Sequence, residues 1–295
     1  MSIILKDFLT HSFSEHSFLW IIISAGFGGL IGAIIKYIFE QLISPATNYK
    51  RKAKQALKRY SNPLLLSADS LVRCLELYLK NIDQNWINDE DDYFKMNILY
   101  CFGQYFGWCK VIEEKSFFEL DVSISRQSSL FIQKFYRVYK GLNSFYYFEN
   151  IIKENPEFTH EVERASIKRL HIQAIGELMI KDSQNSNEEL PKALKFIEFV
   201  ALYKTDKTFK NWFEPVLYLL MNVEKKKNNL YWSRMAIFLI NLQLFINFYD
   251  QKSKITKKRS FYFLDHTNNL FKEMVFLELS NKEKNEIITT ASMQS

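Results

Sequence analysis

The side chains that carry most enzymatic chemistry are sparse in this chain and poorly spaced for it. Of five histidines, only His160, His171 and His266 follow the apolar run near the amino end. No G-x-S-x-G elbow, H-E-x-x-H pair or P-loop accompanies them, so the usual frames for a serine triad, a zinc peptidase or a nucleotide site are missing. The three cysteines, Cys74, Cys101 and Cys109, form no C-x-x-C. A set so small and odd in number suits neither a disulfide framework nor zinc, and buried free thiols are expected. The acidic stretch Asn88 to Asp92 lacks the alternating ligands, central glycine and closing glutamate of a calcium loop. These acids are expected to sit at the positive amino end of the following helix. No metal and no cofactor is expected.

One spacing does bear on catalysis. Arg164-x6-His171 and Arg259-x6-His266 each place an arginine seven residues before a histidine. Both resemble the R-x4-6-H element of HEPN ribonucleases. The resemblance implies a helical bundle, often dimeric, in which the histidine serves acid–base chemistry at an RNA phosphodiester and the arginine stabilises charge. The polar residue that follows the arginine in that element is Ala165 in the first copy and Ser260 in the second. The plainer expectation is that these are exposed or packing residues. Lys225-Lys226-Lys227 and Lys252 to Arg259 are basic patches. They are expected as solvated loops, with a lipid-facing or RNA-facing surface as the sharper alternative.

The element to which everything else is attached lies upstream. Ser17 to Ile35, SFLWIIISAGFGGLIGAII, is nineteen residues without a charge. As a helix it matches the roughly 30 Å hydrocarbon core of a bilayer. It is expected to be the only transmembrane helix, with an interfacial extension to residue 43 and a short outer tail at 1–16. Residues 36–59 hold seven basic side chains and one acid, against one basic and two acidic in residues 1–17. By the positive-inside rule the amino end lies outside and the rest in the cytoplasm, which sets the protein in the inner membrane. A cleaved signal peptide fits less well, because the n-region is not basic and no A-x-A-like site follows.

The formal charge of +6 is concentrated in that juxtamembrane stretch, since residues 60–295 carry 31 basic and 30 acidic side chains. Lys50, Arg51, Lys52, Lys54, Lys58 and Arg59 are therefore expected to meet anionic lipid headgroups, each contributing on the order of 1 kcal/mol near the surface. Within the span, Ser24, Gly28 and Gly32 repeat at intervals of four, as do Ala25, Gly29 and Ala33. Such small-residue stripes let helices approach closely in lipid, so a homo-oligomer is expected. These glycines are no dinucleotide fingerprint, because the third glycine position is Ile31.

After the anchor the pattern is helical throughout, and an all-α cytoplasmic bundle is expected over 46–279, with a frayed polar tail at 280–295. Helices are expected at 46–60, then from Pro63 after a stop at Ser61-Asn62, and at 93–115, 127–140, 142–154, 157–182, 190–204, 207–223, 229–250 and 260–279. Met235 to Tyr249 is uncharged but only fifteen residues long, with Asn241, Gln243 and Asn247 inside it. A core helix is expected there rather than a second span. Gly103 and Gly107, set among aromatics ending at Trp108, mark either a tight helix crossing or room for a ligand.

Three segments, FGQYFGW at Phe102–Trp108, QAIGE at Gln173–Glu177 and the stretch Phe209 to Phe213, are similar to those of a bacterial family of membrane-anchored helical proteins. The resemblance covers most of residues 20–250. It implies the layout of anchor plus helical cytoplasmic region and brings no activity with it. The function expected from these readings is a non-enzymatic membrane-anchored protein. It would self-associate through its span, present a bundle to a cytoplasmic protein partner, and act at the membrane in a bacterial defence or toxin pathway. A membrane-tethered HEPN-like ribonuclease with RNA as substrate, and a sensor with a ligand cavity near Gly103 and Gly107, are the alternatives.

Overall fold

The computed structural model describes residues 44–88, 92–115, 126–181, 191–226, 228–256, 267 and 269–292. Among them the chain is all-α: eleven α-helices, a few 3-10 turns and one pair of two-residue strands. The expected span at 17–35, with its small-residue stripes, lies outside the described residues. Among the described residues no helix is long and apolar enough to cross a membrane.

Helix α1 runs Ser44–Lys80 and carries Pro63 inside it. A stop and restart at Ser61-Asn62-Pro63 is the sequence expectation, and it is not what forms. An interior proline forfeits one backbone hydrogen bond, at about 3 kcal/mol. Packing offsets this, because Leu64, Leu65, Ala68, Leu71, Val72, Leu75, Tyr78 and Leu79 are all buried just beyond the proline. Pro45, at the start of the helix, falls where its missing N–H costs nothing.

Helix α2 spans Tyr93–Lys115 and α3 spans Arg126–Asn143. Asp92, immediately before α2, adopts a left-handed backbone and pairs with Lys95. A 3-10 turn at Tyr146–Phe148 leads into α4, Glu149–Glu154, and α5 covers Thr159–Arg164. Helix α6 is Arg169–Met179. Strands β1, Ile180–Lys181, and β2, Lys192–Ala193, then pair antiparallel, and Leu194 N–H donates to Met179 O at 2.8 Å. Helices α7, Phe196–Thr205, and α8, Lys207–Met221, follow. Asp206 caps α8 by accepting from Thr208 N–H and Phe209 N–H.

Helix α9, Leu230–Tyr249, is the axis of the fold. Every residue from Leu230 to Ile246 is buried, so the uncharged run is a core helix, as its length and polar residues indicate. It serves two separate apolar cores. Trp232, Met235, Phe238, Leu242 and Phe245 join the large core with α1, α2, α3, α6 and α8. Ile237, Ile240 and Leu244 join a smaller one with Tyr147, Phe148, Val162, Phe271, Val275 and Ile287. The last two elements, α10 at Asn269–Glu278 and α11 at Asn281–Ser292, supply part of that second core.

Two further expectations are corrected. The single helix read over 157–182 is interrupted at residues 165–168. Ser166 turns its hydroxyl onto Glu163 O at 2.6 Å, and Ile167 N–H donates to Leu142 O, at the end of α3, at 3.0 Å. A long-range hydrogen bond and the burial of Ala165 and Ile167 thus outcompete helix continuation. The tail is not frayed from residue 280. Ser280 N–H and hydroxyl donate to Glu283 Oε2 at 2.9 and 2.7 Å, a capping box that starts α11.

Candidate functional site

The glycines of α2 and α6 set how two helices meet. A Cβ on Gly176 would lie 2.7 Å from Phe106 O, so α6 rests directly on the α2 backbone. A Cβ on Gly103 would lie 2.9 Å from Met179 Sδ and 3.1 Å from Phe213 Cζ, and one on Gly107 would lie 3.1 Å from Ile180 Cδ1. Both glycines therefore stand at the crossing, with side chains from α6, β1 and α8 filling the space beside them. Trp108 is buried in the large core.

That close approach brings the polar ends of α2 and α6 together. Lys110 Nζ reaches Glu177 Oε1 at 2.6 Å and Glu114 Oε1 at 3.3 Å. Arg169 Nη2 stands 3.7 Å from Glu113 Oε1, with its guanidinium 5.1 Å over the Tyr136 ring. The Glu113 side chain is only 11% exposed, and among the described residues its Oε1 accepts no hydrogen bond. Burial pushes the Glu113 carboxyl up from its ordinary value, and Arg169, Gln173 and Lys110 offset this only in part. Behind it, the Cys109 thiol is hydrogen-bonded with the Tyr105 and Tyr139 hydroxyls. The result is a carboxyl whose pKa is raised by burial, beside a half-exposed guanidinium.

A second polar cluster ties α11 to α3. Lys134 Nζ and Arg137 Nη2 lie 2.6 and 3.0 Å from Glu283 Oε1. Arg137 Nε also donates to Asn241 Oδ1 at 3.2 Å, and Tyr147 hydroxyl donates to Glu278 Oε2 at 2.5 Å. Burial alone would raise the Glu283 pKa. Lys134, Arg137 and Ser280 outweigh it and pull the carboxyl down to about 2. A depressed carboxylate stabilises the fold above its unfolded value and loses that contribution as pH falls toward the folded one. Between roughly pH 4.5 and 2, then, α11 should release from α3 with a loss on the order of 2 kcal/mol, discounted for solvent screening. Amide hydrogen exchange along Asn281–Ser292 measured over that range checks it. In Glu283→Gln the exchange should already be fast at pH 7, and protection that is independent of pH in the unaltered protein would contradict the assignment.

The residues singled out from sequence are distributed as follows. Arg164 ends α5 and is exposed, while His171 lies in the first turn of α6 with its ring 5.4 Å from Trp212. The interruption at 165–168 separates them, and among the described residues no hydrogen bond or ion pair joins the two. Arg259 and His266 lie outside the described residues, as do Ser24, Ala25, Gly28, Gly29, Gly32 and Ala33. Lys50, Arg51, Lys52, Lys54, Lys58 and Arg59 lie on the first half of α1. Reasoning from sequence did not single out Glu113, Glu283 or Arg234. The signal for Glu283 was the S-x-x-E of Ser280 to Glu283.

No family model, no curated protein and no solved structure matches this chain. Any functional reading therefore rests on its own residues.

Proposed function

We propose that the chain is a membrane-anchored helical interaction protein of the inner membrane, self-associating through its glycine-rich span and presenting the bundle to a cytoplasmic protein partner. Membrane action in a bacterial defence or toxin pathway is the output that suits this layout. The observation that carries the reading is the uncharged run Ser17 to Ile35, followed within 24 residues by seven basic side chains. The length of α1 supports it. One helix, Ser44–Lys80, bears both the basic stretch suited to anionic headgroups and the apolar face buried in the bundle core.

The full chain should remain with the membrane after high-salt and alkaline washes and leave it only in detergent. Gly28→Ile combined with Gly32→Ile should stay in the membrane yet lose chemically cross-linked oligomers. Recovery of the unaltered protein in the aqueous fraction without detergent would end the reading. Unchanged cross-linking of the double variant would remove the self-association part of it.

A further inference from the structure

The turn that follows α9 keeps its cations in water and its one carboxylate out of it. Asp250 is buried, and its side chain accepts from Lys254 N–H at 2.9 Å, Ile255 N–H at 2.8 Å, Thr256 N–H at 2.7 Å and the Thr256 hydroxyl at 3.0 Å. Ser253 N–H donates to Asp250 O at 2.8 Å, and Ser253 takes a left-handed backbone with φ 48°. Four donors on one carboxylate fold residues 250–256 tightly, with Thr256 buried at the far end. Lys252 and Lys254 are left exposed, and among the described residues neither has an ion-pair partner. Ile255 beside them is 38% exposed. In sequence, residues 251–264 hold five basic side chains and no acid.

The turn also has a definite place. Tyr249, the residue before Asp250, has its hydroxyl hydrogen-bonded to Ser61 of α1, and its ring lies 5.5 Å from that of Phe131. Tyr60 and Tyr249 pack on the same large core. Ser61 is two residues beyond Arg59, where the basic stretch of α1 ends. The turn therefore adjoins the end of the stretch already expected to meet anionic headgroups. Its chemistry favours a lipid surface over RNA. Lysines carry compact charges on flexible stems, and an exposed aliphatic side chain beside them can enter the acyl boundary. Residues 250–256 offer no ring or guanidinium on which a base would stack.

We propose that residues 250–256 are a second membrane contact, a turn that docks the bundle onto an anionic bilayer through Lys252, Lys254 and Ile255. It rests on the membrane reading above: the span holds the chain to lipid, and the turn decides which end of α9 meets the headgroups.

The test uses the full chain in lipid nanodiscs, with Ile255→Cys carrying a nitroxide. Cys74, Cys101 and Cys109 are buried, so the label goes to the new thiol. In discs of phosphatidylcholine mixed with phosphatidylglycerol, the label should gain collisions with oxygen and lose collisions with a water-soluble nickel chelate. In phosphatidylcholine alone it should stay in water. Lys252→Gln combined with Lys254→Gln should lower the docked-to-undocked ratio by about 30-fold, since each basic group near an anionic surface contributes about fivefold. A label on Lys225→Cys, beyond the other end of α9 and about 30 Å away, should stay in water in both discs. Circular dichroism melts confirm that each variant is folded. The proposal is overturned if the Ile255→Cys label stays in water in the anionic discs or enters lipid equally in both compositions. It is overturned too if the double substitution leaves the label docked, if the Lys225→Cys label docks alike, or if an oligoribonucleotide rather than anionic lipid immobilises the turn. Failure of the anchor reading shows separately, as unaltered chain that elutes without discs. The same labels are then read with vesicles of the two compositions, and each outcome keeps its meaning.

Discussion

Alanine at Gly176 lowers the melting temperature of the full chain markedly, while alanine at Gly103 barely moves it. The two glycines sit at one crossing, and the difference lies in what a methyl group would strike. At Gly176 the obstacle is the Phe106 carbonyl, 2.7 Å away, part of the α2 backbone, which cannot yield without moving the helix. At Gly103 the obstacles are side-chain atoms only, the flexible thioether of Met179 at 2.9 Å and the edge of the Phe213 ring at 3.1 Å. Overpacking costs about 1–3 kcal/mol, and replacing a helical glycine by alanine returns about 1 kcal/mol of propensity. Gly176→Ala should therefore be destabilised by about 2 kcal/mol, and Gly103→Ala should stay within about 1 kcal/mol of the unaltered protein. Gly141 offers a control at the α3–α9 contact, since a Cβ there meets Phe238 Cα at 2.9 Å, so it should behave like Gly176. Circular dichroism melts of the three variants decide the matter. Equal losses at Gly103 and Gly176 would show that backbone and side-chain obstacles at the α2–α6 crossing resist a methyl group alike.

Arg234 gives the second large effect. It is fully buried on α9, and its guanidinium is met by main-chain carbonyls: Ser144 O at 2.5 Å, Gly141 O and Val162 O at 3.5 Å. It lies 4.3 Å over the Phe148 ring, and its Nε has no hydrogen-bond partner among the described residues. Burial works against the charge, opposed in part by Tyr147. The cation is tolerable because its acceptors lie at the ends of α3 and α5, where unpaired carbonyls and the helix dipole supply partial negative charge. One side chain thus ties α9 to α3, to the 3-10 turn at Phe148 and to α5. Arg234→Ala leaves those carbonyls dry and a hole beneath Phe148, and should cost roughly 3 kcal/mol. Arg234→Lys should recover little, since an ammonium cannot reproduce the planar fork. Arg234→Met should lose less than alanine, because it keeps volume and removes a buried charge. Melts of the three substitutions rank them. A methionine variant more stable than the unaltered protein would mean that the guanidinium costs more than its hydrogen bonds return.

Much of the architecture was legible locally. The scarcity of glycine and proline after residue 35 and the three-to-four spacing of apolar side chains specify helices without strands of any length. The run Met235 to Tyr249 was legible as a core helix because its polar residues, Asn241 and Gln243 among them, need partners that lipid does not offer. Asn241 duly bonds Arg137 and Tyr147, and Gln243 Nε2 reaches Glu76 at 3.1 Å. The spacing of Gly103 and Gly107 marked either a crossing or room for a ligand, and a Cβ on either would meet side chains of other elements at 2.9–3.1 Å. Their counterpart Gly176 gave no such sign, because nothing in a sequence says which distant glycine faces which.

The features that resisted sequence reading share one cause. Pro63 signals a break, yet the helix continues because Leu64, Leu65 and Ala68 just after it are buried in the large core. Residues 157–182 read as one helix, yet Ile167 leaves it to bond Leu142, 25 positions away. Arg234 carries no local signal of burial and ends wholly inside. Helix identity and the candidate anchor follow from neighbours within a turn or two, where periodicity and capping act. The interruption of a helix and the burial of a charge depend on groups far along the chain. Their free energy exists only once the bundle has closed around α9.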